Sequence, residues 1–303
     1  MSPGRRTTLD GQAVLLLVGC SALWGLGQVA AKVGLTDIPP LLQGGLRSLG
    51  AAALLLAWAW ARGLPLLQAD GTGRGGLLAG ALFAAEFACI FIGLQYTSAS
   101  RMAVFIYLAP FVVALGMPFI ARSERLHAPQ WAGLALAFGG VLWAFAEGFV
   151  TPAAGPRQWL GDTLGIAAAL LWGLTTLTLR ASRLATASPE KTLLYQLAVS
   201  GVALSAASLW QGEPWPARWG GPALWSLGFQ TVVISFASYL GWFWLVRHYP
   251  ATRISVFVLL TPVFGLLAGV ALLGEPLGAR LVVALAAVCG GIALVNRRTP
   301  APP

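Results

Sequence analysis

Charge is what this chain has least of. Only 10% of its 303 residues are charged, where a soluble domain carries about 25%. It has ten acidic residues, two histidines and three cysteines. The acids are scattered, and His127 and His248 are isolated in expected loops. Neither pattern offers the clustered carboxylates or His/Asp pair that a membrane-embedded transferase needs, so the chain is expected to be no enzyme and to need no cofactor. Cys20, Cys89 and Cys289 fall inside apolar stretches as small buried hydrophobes, and no Cys/His spacing suggests a metal site. Gly71-Thr72-Gly73 lacks the Lys-Thr/Ser ending of a phosphate loop and gives ATP hydrolysis no support. Room for a soluble domain is missing too. The longest gap between apolar runs, Gly148 to Leu160, is a Pro/Gly loop.

What the chain does have is apolar length. Hydrophobic residues make up 57% of it, and its mean hydropathy is +0.76. Ten runs are each long enough to cross about 30 Å of hydrocarbon. They are expected near 11–34, 39–61, 75–96, 100–121, 128–147, 161–181, 191–210, 222–247, 252–273 and 277–296. The first run exceeds a signal-peptide core, so Arg5-Arg6 before it is read as flanking a retained helix. With the N-terminus inside, 13 of the 19 Lys and Arg fall on the cytoplasmic side. That asymmetry places both termini in the cytoplasm, and the net charge of +9 is no nucleic-acid footprint. Trp58, Trp60, Trp131, Trp159, Trp210, Trp215 and Trp219 near span ends read as an aromatic belt.

The second half repeats the first. Ala99-Ser100-Arg101-Met102-Ala103-Val104-Phe105 matches Ala251-Thr252-Arg253-Ile254-Ser255-Val256-Phe257, with Pro110 against Pro262 at the same spacing. Glu124-Arg125-Leu126 answers Glu275-Pro276-Leu277, Gly139-Gly140 answers Gly290-Gly291, and Leu23-Trp24-Gly25 answers Leu171-Trp172-Gly173. Five spans per repeat force the second repeat to enter the membrane from the opposite side. The fold expected is an all-α membrane protein of ten helices, two inverted five-helix repeats (1–150 and 151–303) around a central cavity.

These motifs, with Lys32 and Leu46-Arg47, resemble those of the drug/metabolite transporter superfamily, EamA type, over nearly the whole chain, and most closely the YddG-like amino-acid and metabolite exporters. The resemblance implies transport of small organic molecules across an inner membrane, usually outward. The second half departs from the pattern where Arg47 falls, its rough counterpart being Gln196.

Glu86 is the sharpest single residue. It alone of the acids lies deep in a span, roughly 16 Å from the helix start. A carboxylate there must face protein or a wet cavity. It reads as a site for a substrate ammonium or a proton, against a structural hydrogen bond as the plainer alternative. Its repeat partner is near Ser238. With no histidine at depth, a proton antiporter would have to use Glu86, while a facilitator needs no such group. Lys32 reads as a snorkelling cation; Arg47, roughly 12 Å into its helix, reads mainly as one that snorkels or bonds exposed carbonyls, with receipt of a substrate carboxylate as the alternative.

Aromatic and amide side chains at helical spacing outline the cavity: Ser21, Trp24 and Gln28 in the first span; Trp172, Thr175, Thr176 and Leu179 in the sixth; Ser235, Tyr239 and Trp242 in the eighth; Tyr107 and Phe257 in the fourth and ninth. Such a lining suits an aromatic or amphipathic substrate, though aromatic stripes also simply pack and hydroxyls bond their own helix. Pro110 and Pro262 remove backbone donors and kink the fourth and ninth spans, as hinges for gating or as static bends. Thr252 and Ser98 or Ser100 are expected helix N-caps. Gly265 and Gly269 allow close helix contact within the bundle.

The reading is a secondary transporter exporting amino acids, aromatic ones favoured, by alternating access. A broad drug or lipophilic-cation efflux protein of the same fold is the alternative. The expected partners are a small-molecule substrate, the lipid bilayer and, through Glu86, protons; a monomer or weak dimer is expected.

Overall fold

The computed structural model describes residues 8–97, 99–150, 155–273 and 279–297, and every regular element among them is helical. The first three spans are α1 (Gly11–Gly34), α2 (Pro40–Ala61) and α3 (Gly73–Gly93). The fourth is divided into α4 (Ala99–Ile106) and α5 (Ala109–Ile120). The fifth is α6 (Ala128–Ala144), followed by the single turn α7 (Glu147–Val150). The sixth and seventh are α8 (Gln158–Ala181) and α9 (Pro189–Trp210). The eighth runs through α10 (Gly221–Phe229), a π-helix (Gln230–Ser238) and α11 (Tyr239–His248). The ninth comprises α12 (Ala251–Ser255), a 3-10 stretch (Val256–Leu259) and α13 (Leu260–Leu273), and the tenth is α14 (Ala279–Asn296). Among the described residues, eight helical segments are long and apolar enough to cross a membrane, and Val282–Asn296 is a shorter apolar helix. The protein is a multi-pass membrane protein of ten helices.

Local chemistry sets the ends. Asp10 caps α1, its Oδ1 accepting from the Ala13 N–H at 2.9 Å, and the Ser188 hydroxyl caps α9 from the Lys191 N–H at 3.2 Å. Pro40 and Pro189 open α2 and α9 at the position where no N–H is needed. Gly63 and Gly212, just beyond the equivalent helices α2 and α9, take φ of 64° and 68°, the left-handed conformation a residue with Cβ resists. Leu15, Phe119, Val202 and Trp225 stand outward, on the surface where lipid lies.

The helix contacts obey the repeat. Equivalent helices α2 and α9 pack on each other: Gly45 lies against Ser205 and Gly201 against Leu49. So do α6 and α14, where Gly133 meets Leu294 and Gly291, and Gly140 meets Ala287. In both pairs the residue numbers run in opposite directions, so the paired helices are antiparallel. Two equivalent helices packed antiparallel are related by an axis perpendicular to both, which is the in-plane two-fold of an inverted repeat. The cross pairs agree. Gly25 on α1 packs on the backbone of Thr261 and Gly265 in the ninth span, and Gly173 on α8 packs on Val112 in the fourth. Helix association in lipid relies on close packing, so these contacts need glycine.

The proline kinks fall where expected. α4 stops at Ile106, four residues before Pro110, and the 3-10 stretch in the ninth span covers Val258, four before Pro262. Pro118, inside α5, does not interrupt it. Three expectations are corrected. Thr252 is not an N-cap: Pro250 occupies that position and Thr252 lies inside α12. His248 is not in a loop but ends α11, its Nδ1 2.8 Å from the Trp244 carbonyl. Cys289 is exposed on α14 rather than buried, whereas Cys20 is buried. Ser98, Glu275, Pro276 and Leu277 lie outside the described residues, as do the side chains of Gln28 and Lys32.

Candidate functional site

Acidic residues show what the scarce charge is for. Most of those described sit at helix N-termini, whose first N–H groups have no partner in their own helix. Asp10 caps α1. The Glu213 carboxylate accepts from the N–H groups of Leu41 and Leu42 at 3.1 and 3.0 Å and from the Ser208 hydroxyl at 2.6 Å. Asp37 accepts from the Gly220 N–H at 2.9 Å. Glu124 Oε2 accepts from the Ala251 N–H at 2.6 Å, supplying from the first half the cap that Thr252 does not provide.

Glu86 departs from this pattern. It is 5% exposed on α3, and its Oε2 is buried without a hydrogen-bond partner. Beside it stands Arg47 of α2, close enough for the two charges to act on each other. At 8% exposed, Arg47 does not snorkel. Its guanidinium lies over the Phe87 ring at 4.4 Å, and its Nε is buried and unpartnered. Tyr239 brings its hydroxyl beside the same guanidinium.

A chain of aromatic rings leads away from Arg47. Phe83 packs edge-on against both Phe87 (4.9 Å between centroids) and Tyr239 (6.0 Å). Tyr239 and Trp242 in turn flank Trp24 at 6.0 and 5.2 Å. The Trp24 Nε1–H donates to Ser238 Oγ at 2.9 Å. Ser238 closes the π-helix, a wider winding frequent at functional positions. It carries Ser235, wholly buried with an unpartnered hydroxyl.

On its other side Trp242 borders a cavity with Ala109, Pro110, Val113, Trp172, Thr176, Ser255 and Val258. The cavity has about 10 Å³ of room for water-sized molecules, on the order of a single water. Tyr107, at the break in the fourth span, faces Trp172 at 6.4 Å. Phe257 joins the packed core rather than the cavity lining. Its carbonyl, loosened by the 3-10 winding, accepts from the Ser21 hydroxyl at 3.0 Å. Thr175 and Thr176 donate to carbonyls of their own helix, Leu171 and Trp172. Pro262, near the start of α13, is buried.

Polar clasps that cross between the halves close both ends of the bundle. At the end carrying the chain termini, Glu124 ion-pairs with Arg180, whose Nη1 donates to the Val246 carbonyl at 3.1 Å. There the Tyr249 hydroxyl donates to Asp10 at 2.8 Å. At the other end Asp162 holds Arg101 at 2.6 Å and the Thr97 hydroxyl at 2.7 Å.

Phe83, Phe87, Ser255 and the two clasps were not singled out from the sequence, and Ser238 was marked only as the repeat counterpart of Glu86. The one available signal was the i, i+4 spacing of Phe83, Phe87 and Phe91 beside Glu86. A phenylalanine stripe in an apolar span has no contrast to mark it.

The sequence model of the EamA-like transporter family matches residues 11–146 and again 159–297. An uncharacterized transporter of Bacillus subtilis, YoaV, is 25% identical over 93% of this chain and 95% of its own length. An uncharacterized protein of Pseudomonas aeruginosa is 31% identical over 97% and 95%. A protein of Escherichia coli named as a probable amino-acid metabolite efflux pump is 32% identical over 133 residues, 44% of this chain and 42% of that one. One crystal structure superposes with a TM-score of 0.80 at 20% identity, covering 94% of this chain and 96% of the other; it speaks for the fold alone.

Proposed function

The chain belongs to the EamA-like transporter family, and on that footing we propose that it exports small metabolites, amino acids foremost and aromatic ones favoured, across a bacterial-type inner membrane by alternating access. The observation that carries the substrate class is Glu86: a buried carboxylate oxygen without a partner, beside a chain of rings formed by Phe83, Trp24, Tyr239 and Trp242. A carboxylate held this deep suits a cationic amine, and rings arranged edge-on suit an aromatic side chain. Outward transport draws support from the relative named as an efflux pump. The Lys/Arg asymmetry of the loops supports cytoplasmic termini.

The residues read from the sequence take these roles. Trp24, Gln28, Glu86, Tyr107, Trp172, Thr176, Ser235, Tyr239, Trp242 and Phe257 form or back the route. The halves 1–150 and 151–303 rock against each other. The breaks before Pro110 and Pro262 supply the bending, and the clasps at the two ends release in alternation. The small cavity beside Trp172 then corresponds to a nearly closed state.

Uptake of labelled phenylalanine, leucine and a lipophilic cation into proteoliposomes, with and without a proton gradient, tests this. Saturable phenylalanine flux that the cation does not inhibit supports the reading. Cation flux without amino-acid flux refutes the substrate class. Flux that requires the gradient in wild type but persists without gradient dependence in Glu86→Gln assigns the proton to Glu86.

A further inference from the structure

We propose that Arg47 and Glu86 form one bipolar receptor for the two charged ends of a zwitterionic amino acid, Glu86 taking the ammonium and Arg47 the carboxylate. This deepens the amino-acid reading above and stands only with it. Other buried charges among the described residues are engaged. Arg180 pairs with Glu124, and the Lys191 ammonium bonds the Asp70 carboxylate and the Gln68 carbonyl at 2.7 and 2.6 Å. Arg47 and Glu86 are both more than nine-tenths buried, stand near each other and form no direct ion pair. Each keeps a polar atom unpartnered, Nε on one and Oε2 on the other.

That arrangement sets a selectivity rule. A guanidinium and a carboxylate held near each other lower the cost of burying either charge. A zwitterion leaves that arrangement intact while bringing a partner to each orphaned atom. An amine alone would satisfy Glu86 and strand Arg47 without a counter-charge; an acid alone would do the reverse. The rings of Phe83, Phe87 and Tyr239 beside the pair receive the side chain, where contact is not charge-selective. The counterparts Ser238 and Gln196 are uncharged, so each molecule has one such receptor.

The test is inhibition of labelled phenylalanine transport in proteoliposomes by phenylalanine, phenethylamine and 3-phenylpropionate, in wild type, Glu86→Gln and Arg47→Gln. Wild type should be inhibited at least about tenfold more strongly by phenylalanine than by either analogue, the scale on which an unpaired buried charge discriminates. Glu86→Gln should shift relative preference at least about tenfold toward phenylpropionate, and Arg47→Gln by a similar factor toward phenethylamine. Arg47→Lys, which keeps the charge, should preserve the wild-type order. These are ratios within one preparation, so a poorly folding variant does not alter them. Wild type that transports phenylalanine while both variants leave the ratios within about threefold overturns the receptor and spares the amino-acid reading. Wild type that transports no amino acid overturns both.

Discussion

Replacing Glu124 by glutamine should unlock the end of the bundle that carries the termini. The Arg180 and Glu124 side chains are 1% and 6% exposed. Removing one charge of a buried pair costs about 3–5 kcal/mol, because the other is left buried without compensation. Glutamine keeps an oxygen for the Ala251 N–H, so the substitution isolates the charge. Glu124→Ala also strands that N–H and adds about 1–3 kcal/mol. If the clasp is a gate, the protein escapes the penalty by opening, because water then solvates Arg180. At 1.4 kcal/mol per factor of ten, a shift of about 3 kcal/mol raises the open fraction on the order of 100-fold. Ser255 borders the interior cavity and serves as reporter. In a cysteine-free background, Ser255→Cys should react with a membrane-impermeant maleimide added at the clasp side on the order of 100 times faster once Glu124→Gln is introduced. A rate within about threefold of the parent, together with a lowered thermal midpoint, would show that the pair only holds the fold together. The double variant Glu124→Gln, Arg180→Gln should return labelling toward the parent rate, since no charge then remains to be hydrated.

Three further outcomes follow from other contacts. Gly25→Ala would put a Cβ 2.7 Å from the Gly265 nitrogen and 2.8 Å from the Thr261 oxygen, backbone atoms that cannot yield, so it should cost about 1–3 kcal/mol and lower the midpoint in detergent; Gly241→Ala, whose nearest neighbour is Cys20 Sγ at 3.9 Å, should be neutral in the same assay. Hydrogen bonds from Lys191 and Thr72 hold the exposed Asp70 carboxyl well below the usual carboxylate range; a depressed folded-state pKa stabilises above the unfolded value, roughly pH 3.9, and is lost only as pH falls through the folded one, so Asp70→Asn should lower the midpoint at pH 7 and the gap should close on strong acidification. Pro262→Ala restores an N–H to the ninth span and should slow phenylalanine exchange while leaving its binding, read by quenching of tryptophan fluorescence, within about threefold.

The repeat was readable because it lies along the chain: Trp24-Gly25 against Trp172-Gly173 and Pro110 against Pro262 need no third dimension, and the glycines and prolines act on their own backbones. Glu86 was readable by depth alone, since a carboxylate eleven residues into an apolar helix contrasts with all around it. Arg47 stayed ambiguous because depth along a helix does not say which way a long side chain turns; it is buried over Phe87 of another helix. The clasp at Glu124 was hidden for a different reason. Beyond the Arg180–Glu124 pair itself, it rests on a backbone N–H 127 positions from Glu124 and on the Val246 carbonyl, and every residue owns such groups, so composition cannot mark them. The π-helix left no trace either, for Gln230–Ser238 reads as ordinary apolar helix.

The antiparallel packing of α2 on α9 and of α6 on α14 bears on ancestry. Each surface is complementary to a copy of itself turned upside down. A five-helix precursor with these faces would have assembled as a dimer of opposed subunits, and so would have had to enter the bilayer in both orientations in equal numbers. Gene duplication and fusion lift that demand, since each half then needs one orientation and its loops are free to acquire a charge bias. Fusion also ends the obligation to be identical, and the bundle could keep one carboxylate and one guanidinium at its centre where the paired ancestor carried two of each or none.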